Sequence, residues 1–336
     1  MSGASESGNT AGDNRHPEYY FPDGSAIFQI NFQRVPGLLY KLHSSVLGSR
    51  SGVFNTLFSL PRGPDADPHI RDEGTSDSNP IKLSYIVSQY HFDHLLCYFY
   101  KGPTMHPKTD AFLVSVLSLS TFFEIDDGVA HAVQAFERKG PDFDAALQFE
   151  LARYYRVDHW IKPAFERLME LPMTGLDMVL MDRLGQAGYF WLIKTKADIE
   201  KHRKQFTFDA PSIQNDPDCQ MPAYCGAAWY REWSMKVPKL VHHPEIHISL
   251  VKVLKQLGNT EITGLCDACQ KRTVTWIWGT GHVTAEQDYI DTAVAALMAL
   301  QTDEPIRAAM RKEVVRSPTP VSSTTSISHP PSATIS

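Results

Sequence analysis

Between Asp23 and Pro61 the chain changes its hydrophobic period twice within 39 residues. Phe28, Ile30 and Phe32 alternate with Gln29, Asn31 and Gln33, the period of two that gives a strand one buried face. Pro36-Gly37 predicts a type II turn, since proline presets the first turn dihedral and glycine accepts the positive one that follows. Leu38 to His43 is then the return strand. Ser44 or Ser45 is expected to cap a short helix carrying Val46 and Leu47. Ser51 is expected to cap a second, with Val53, Phe54, Leu57 and Phe58 on one face.

The same reading extends along the chain. Residues 1–17 are small and polar with no apolar period, so disorder is expected there. Arg62 to Pro80 has too few apolar residues to pack and is expected to form a long surface loop. Ile81 to Leu83 reads as a short strand. Ser88 opens a helix with Phe92, Leu95, Leu96 and Phe99 at helical spacing, stopped by Gly102. Thr109 opens another through Phe123, apolar nearly all round and so central. Asp126 and Asp127 open a third with Val129, Val133 and Phe136 facing inward, and Gly140-Pro141 marks a boundary.

Beyond that boundary lie all six tryptophans, Trp160, Trp191, Trp229, Trp233, Trp276 and Trp278, the expected anchors of a second core. Asp144 to Tyr155 and Trp160 to Leu171 predict a helix pair in which Pro163 must occupy a first turn. Thr174 is expected to cap a segment with Leu176, Val179, Leu180 and Leu184 inside, and Thr195 to Phe206 reads as a separate, charged, exposed helix. Pro244 suits the first position of a helix over Glu245 to Leu257. Thr284 with Gln287 makes a capping box for a last helix with Ile290, Val294 and Leu297 inside. The Ser/Thr/Pro-rich tail, 317–336, is expected to be disordered.

Asp23, the strand Ala26 to Ile30, Tyr40-Lys41-Leu42-His43, Val46-Leu47, Ser51, Val53-Phe54 and Leu57-Phe58 occur in an order that resembles the opening of a BTB/POZ domain. The tyrosine-rich lead-in from Glu18 to Phe21 is similar to that of the fungal group of BTB-domain proteins, and a later echo, Asp72-Glu73-Gly74 followed by Pro80 to Ser84, agrees. The resemblance covers roughly residues 18–138, and the domain it implies spans 18–140. It implies an α+β fold, a small sheet with surrounding helices, followed by a mainly α-helical region over 141–316. It further implies a protein–protein interaction scaffold or adaptor that oligomerises with itself or with other BTB proteins. Presentation of substrates to a cullin-based ubiquitin ligase and recruitment of transcriptional partners are the roles it suggests. Leu42, His43, Val46, Leu47, Phe54 and Phe58 are the positions on which the resemblance places the fold. Ser44 stands where many members carry a basic residue, so the charged pocket between subunits is not implied.

Composition narrows the classes. A net charge of -6 without a Lys/Arg run argues against nucleic acid as the partner. Ala111 to Phe123, the longest charge-free apolar run, is shorter than the roughly 20 residues that span a bilayer, so no membrane is expected. Met1 to Asn14 has no apolar run of the kind a secretory leader carries. Five cysteines in 336 residues then read as reduced thiols or metal ligands of an intracellular protein, cytoplasmic or nuclear.

One cluster has a chemical case. Cys266-x2-Cys269 can aim two thiolates at one point, and with Cys219-x5-Cys225 it can enclose a tetrahedral zinc ion. Lys271 and Arg272 would favour the thiolates. The first pair is wider than a usual zinc knuckle and contains Pro222, with His242, His243 and His247 as substitute ligands. Buried or unpaired thiols are the other reading of the same residues, and a disulfide suits a reducing compartment less well. His243, Glu245 and His247 lack the H-E-x-x-H spacing of a zinc hydrolase, and a helix-capping histidine pair is the expected role. His91, Asp93 and His94 are expected to be solvent-facing residues of an amphipathic helix. No nucleophile elbow, phosphate loop or dinucleotide fingerprint occurs, so no enzymatic activity is expected. The alternative to an adaptor is a zinc-stabilised C-terminal binding module with the N-terminal unit as its oligomerisation handle.

Overall fold

A computed structural model describes residues 14–32, 35–60, 72–84, 87–243 and 248–300. The expected disorder of 1–13 and of the 317–336 tail lies outside those residues, as do 62–71 and His247. Contacts divide the chain into two compact units, with the break between Arg138 and Lys139. The architecture is α+β and mostly helical, with a four-stranded mixed sheet in the first unit.

In that unit β1 (Arg15–Tyr20), β2 (Ala26–Phe32), β3 (Val35–Leu42) and β4 (Ile81–Leu83) lie in the order β1-β3-β2-β4. Only β2 and β3 run antiparallel; β1 joins β3 and β4 joins β2 in parallel. Strand β1 corrects the expectation of disorder up to residue 17. Its sequence has no apolar alternation, but His16 and Tyr19 are buried, and Arg15 pairs with Asp77 at 2.7 Å. Phe28 and Ile30 are buried, as their period requires. The chain reversal is not at Pro36-Gly37: Phe32 pairs with Val35, and both Pro36 and Gly37 belong to β3. Gly37 is needed for close approach, because a Cβ there would fall 1.8 Å from the carbonyl oxygen of Ile30.

Two short helices follow, α1 (Ser44–Arg50) and α2 (Gly52–Ser59). Neither Ser44 nor Ser45 caps α1; His43 holds that position without a side-chain bond, while Ser44 pairs its hydroxyl with Ser25 at 2.8 Å. Ser51 does cap α2, accepting from the Phe54 N–H at 3.1 Å. After β4 come α3 (Gln89–Tyr100), capped by Ser88, α4 (Asp110–Phe122), capped by Thr109, and α5 (Asp126–Glu137). Helix α4 is buried nearly all round, serines 115, 118 and 120 included.

The second unit starts with α6 (Ala145–Tyr155), capped by Asp144, and α7 (Ile161–Met169), where Pro163 sits in the first turn as it must. The next helix departs from expectation. α8 runs from Met178 to Phe208, capped by Asp177 instead of Thr174, and breaks only at Gly185 (φ 69°, ψ 169°). The expected separate exposed helix is its second half, and Thr195, Ile199 and Phe206 are buried. Then follow α9 (Pro222–Val241), α10 (Leu250–Asn259), α11 (Asp267–Gly279) and α12 (Ala285–Ala299). Ser249 caps α10, and Pro244, the expected start, lies outside the described residues. Thr284 makes no side-chain cap; its hydroxyl donates to Gly281 O at 3.0 Å, and Gln287 turns to Glu166 and Asp291. The tryptophans divide: Trp160, Trp229 and Trp233 are core anchors, whereas Trp276 is 44% exposed.

Candidate metal centre

The thiols are brought together by two helix starts. Pro222 occupies the first position of α9, where its missing N–H costs no hydrogen bond, so the proline inside Cys219-x5-Cys225 starts the helix that carries Cys225. Cys266 is the N-cap of α11 and Cys269 its third residue. Gly264, with φ of 89°, lets the chain turn into that helix start. Helices α9 and α11 are held beside α10 by one apolar core that contains Trp229, Trp233, Leu254, Leu257 and Ile277, with Cys225 and Cys269 among its members.

The sulfur atoms of Cys219, Cys225, Cys266 and Cys269 all lie within 4.8 Å of one another. Cys219 Sγ is 3.6 Å from Cys225 Sγ and 3.9 Å from Cys266 Sγ. Four sulfurs at Zn–S distances of 2.3 Å on a tetrahedron stand about 3.8 Å apart. The spacing therefore fits one tetrahedral ion. Backbone N–H groups also point at sulfur, among them that of Asp216 at Cys269 Sγ, 3.1 Å, and that of Cys266 at Cys225 Sγ, 3.5 Å. Such donors orient thiolate ligands and spread their charge.

The strand of chain before α9 is tied down to make this possible. Gln214 N donates to Thr273 Oγ1 at 2.9 Å, and Thr273 Oγ1 donates to Cys269 O at 2.7 Å. The Trp229 indole N–H reaches Pro211 O at 2.8 Å. These bonds fix the approach to Cys219 from the body of the core. No sequence signal announces them, since an Asp N–H and a threonine hydroxyl have no motif.

The thiols are unequal. The backbone N–H of Cys269, with the surrounding thiols, pulls the Cys266 thiol below its ordinary range. Burial pushes Cys269 up to about 12. At Cys225 the Cys266 backbone N–H pulls downward, but burial and the neighbouring thiols leave it raised. Four thiols this close resist joint ionisation unless a cation sits among them. Lys271 does not supply that charge, because its ammonium is engaged by Asp267 at 2.6 Å. Of the substitute histidine ligands, His242 is engaged elsewhere, its Nε2 2.9 Å from Thr207 Oγ1, and His247 lies outside the described residues.

The histidines of α3 are not solvent-facing. His91 is buried, and both its Nδ1 and that of His94 contact Ser115 Oγ, at 2.7 and 2.9 Å. Ser115 Oγ is also 2.7 Å from Ala111 O, and the tautomer of each ring sets which of these contacts it donates and which it accepts. A serine thus contacts both histidines, and it is fully buried in the middle of α4. No substrate reaches it, and its part is structural. Asp93 likewise faces inward, accepting from Tyr40 Oη at 2.8 Å.

Among the described residues no helix is long and apolar enough to cross a membrane. Comparison of the chain with protein-family models, curated proteins and solved structures returns no match.

Proposed function

We propose that this chain is a non-catalytic protein-interaction scaffold in which a zinc-stabilised helical module is joined to a BTB/POZ-like unit that serves as its oligomerisation handle. The convergence of four sulfurs from two distant stretches carries the reading. Tetrahedral all-sulfur sites suit zinc or iron–sulfur chemistry, and a single ion with four protein ligands has no open position for substrate, which is the mark of a structural zinc. Cys219, Cys225, Cys266 and Cys269 would hold the ion. When bound, it would balance the thiolate charge and pin α11 to the start of α9.

The handle is supported by the order of elements in the first unit, a hairpin, two short helices, a parallel strand and three helices, in agreement with the residues that resemble a BTB/POZ domain. Partners on this reading are further copies of the chain or other BTB proteins. Metal analysis of the purified full chain, beside a Cys266→Ser/Cys269→Ser variant, tests the module. One zinc per native chain and none in the variant is expected; a metal-free native chain that remains folded removes the zinc. Affinity capture with the full chain tests the scaffold. Recovery of a cullin would extend it to ubiquitin-ligase adaptor, while a chain that sediments as a monomer and captures no BTB protein would overturn the handle.

A further inference from the structure

We propose that Cys266 is a site of oxidative modification by peroxides, that Cys219 resolves it, and that the resulting Cys219–Cys266 disulfide releases the zinc. The inference rests on the zinc reading above and concerns what the same thiols do when oxidised.

Three observations point to this pair. Exposure falls steeply across the cluster: Cys266 is exposed and Cys219 partly so, whereas Cys225 and Cys269 are 3% and 0% exposed. The two outer sulfurs are neighbours at 3.9 Å, close enough for a sulfenic acid on one to be captured by the other. A surface cavity of about 550 Å³ opens on them between Gln220, Met221, Leu265 and Ala268, ample for hydrogen peroxide. Oxidation of cysteine follows thiolate character and access, and here access singles out the outer pair.

The chemistry balances without another reagent. The Cys266 thiolate attacks one peroxide oxygen; an S–O bond forms, the O–O bond breaks, and hydroxide leaves and is protonated to water. The Cys219 thiolate then attacks the sulfenic sulfur; the S–S bond forms and the S–O bond breaks, releasing a second hydroxide that also becomes water. Two sulfurs have lost one electron each, and peroxide has taken both. Zinc, left with Cys225 and Cys269, has lost two of its four ligands and dissociates. A thiol reductant opens the disulfide by exchange, leaving as its own disulfide, and added zinc then refills the four thiolates.

The test uses the full chain carrying its zinc, exposed to hydrogen peroxide, with zinc release followed by a coloured chelator and disulfides mapped by mass spectrometry. One zinc released for each Cys219–Cys266 disulfide is expected, and reductant plus zinc restores the starting state. Cys266→His keeps a ligand while removing the reactive sulfur, and is expected to hold zinc and to slow its release at least tenfold. Release at the native rate from that variant, a disulfide confined to Cys225 and Cys269, or oxidation to sulfinic acid without a disulfide would each overturn the proposal. If the purified chain carries no zinc, the metal reading fails separately. The disulfide map of the metal-free chain still decides the pairing, Cys219–Cys266 supporting it and any other overturning it.

Discussion

The guanidinium of Arg153 on α6 donates to the backbone carbonyl of Leu184 at 2.5 Å, one residue before α8 leaves helical geometry. Gly185 takes φ 69° and ψ 169° there, a region open essentially to glycine alone. The break frees a carbonyl, and Arg153 satisfies it. Gly185→Ala is therefore expected to destabilise the second unit by about 1–3 kcal/mol through backbone strain. Urea unfolding followed by tryptophan fluorescence checks this, and an unchanged midpoint would mean that α8 tolerates a continuous helix.

Arg203 on α8 and Glu286 on α12 form a nearly buried pair at 2.6 Å. Removing one partner leaves an uncompensated charge, so Arg203→Met and Glu286→Gln are each expected to cost about 3–5 kcal/mol. The double variant should lose less than the sum of the two. A thermodynamic cycle measures the coupling, and additive losses would show that the pair contributes no interaction of its own.

Burial, with the charge of His94 adding to it, lowers His91 to about 4. Its folded form is thus neutral, while in the unfolded chain it takes up a proton near 6.5. Below pH 6.5 the unfolded state binds more protons, so stability falls as pH drops from 6.5 towards 4 and levels off beneath that. His91 alone is worth about 3 kcal/mol over this window. Denaturant titrations of the native chain from pH 7.5 to pH 4 should show the slope, and His91→Gln should flatten it.

A tetrahedral thiolate centre makes two further measurements informative. Cobalt(II) added to metal-free chain is expected to give the intense visible absorption of a four-sulfur tetrahedral site, and zinc should bleach it. Because Cys225 and Cys269 are held protonated by their surroundings, metal uptake at neutral pH should release protons in the calorimeter, with an enthalpy that varies with the buffer. Cobalt uptake without that absorption would exclude the four-cysteine geometry.

Legibility followed how local the cause was. The caps made by Ser51, Ser88 and Thr109 were readable because donor and acceptor lie three residues apart. Thr284 and Ser44 are of the same capping kind and do not cap: the Thr284 hydroxyl turns back to Gly281 O, and that of Ser44 pairs with the distant Ser25. The four cysteines could be named from spacing alone, whereas the N–H donors of Asp216 and Cys266 could not. Strand β1 was invisible because its buried residues, His16 and Tyr19, stand three apart and one of them is polar, so no alternation marks them. The burial of the second half of α8 was hidden by charge: Lys194 and Asp198 pair along its exposed face at 2.5 Å, while Leu192, Thr195, Ile199 and Phe206 are buried.

The outer thiols, Cys219 and Cys266, are separated by 47 positions, and that separation gives the two states of the centre different polymer physics. A cross-link closing a loop of that length removes about 4 kcal/mol of chain entropy from the denatured ensemble. Oxidation would therefore exchange a four-armed metal anchor for a two-armed covalent tether and leave the two ends of the 219–266 segment still joined. The oxidised module would refold with that loop already closed, whereas the reduced, metal-free chain would have to close it anew.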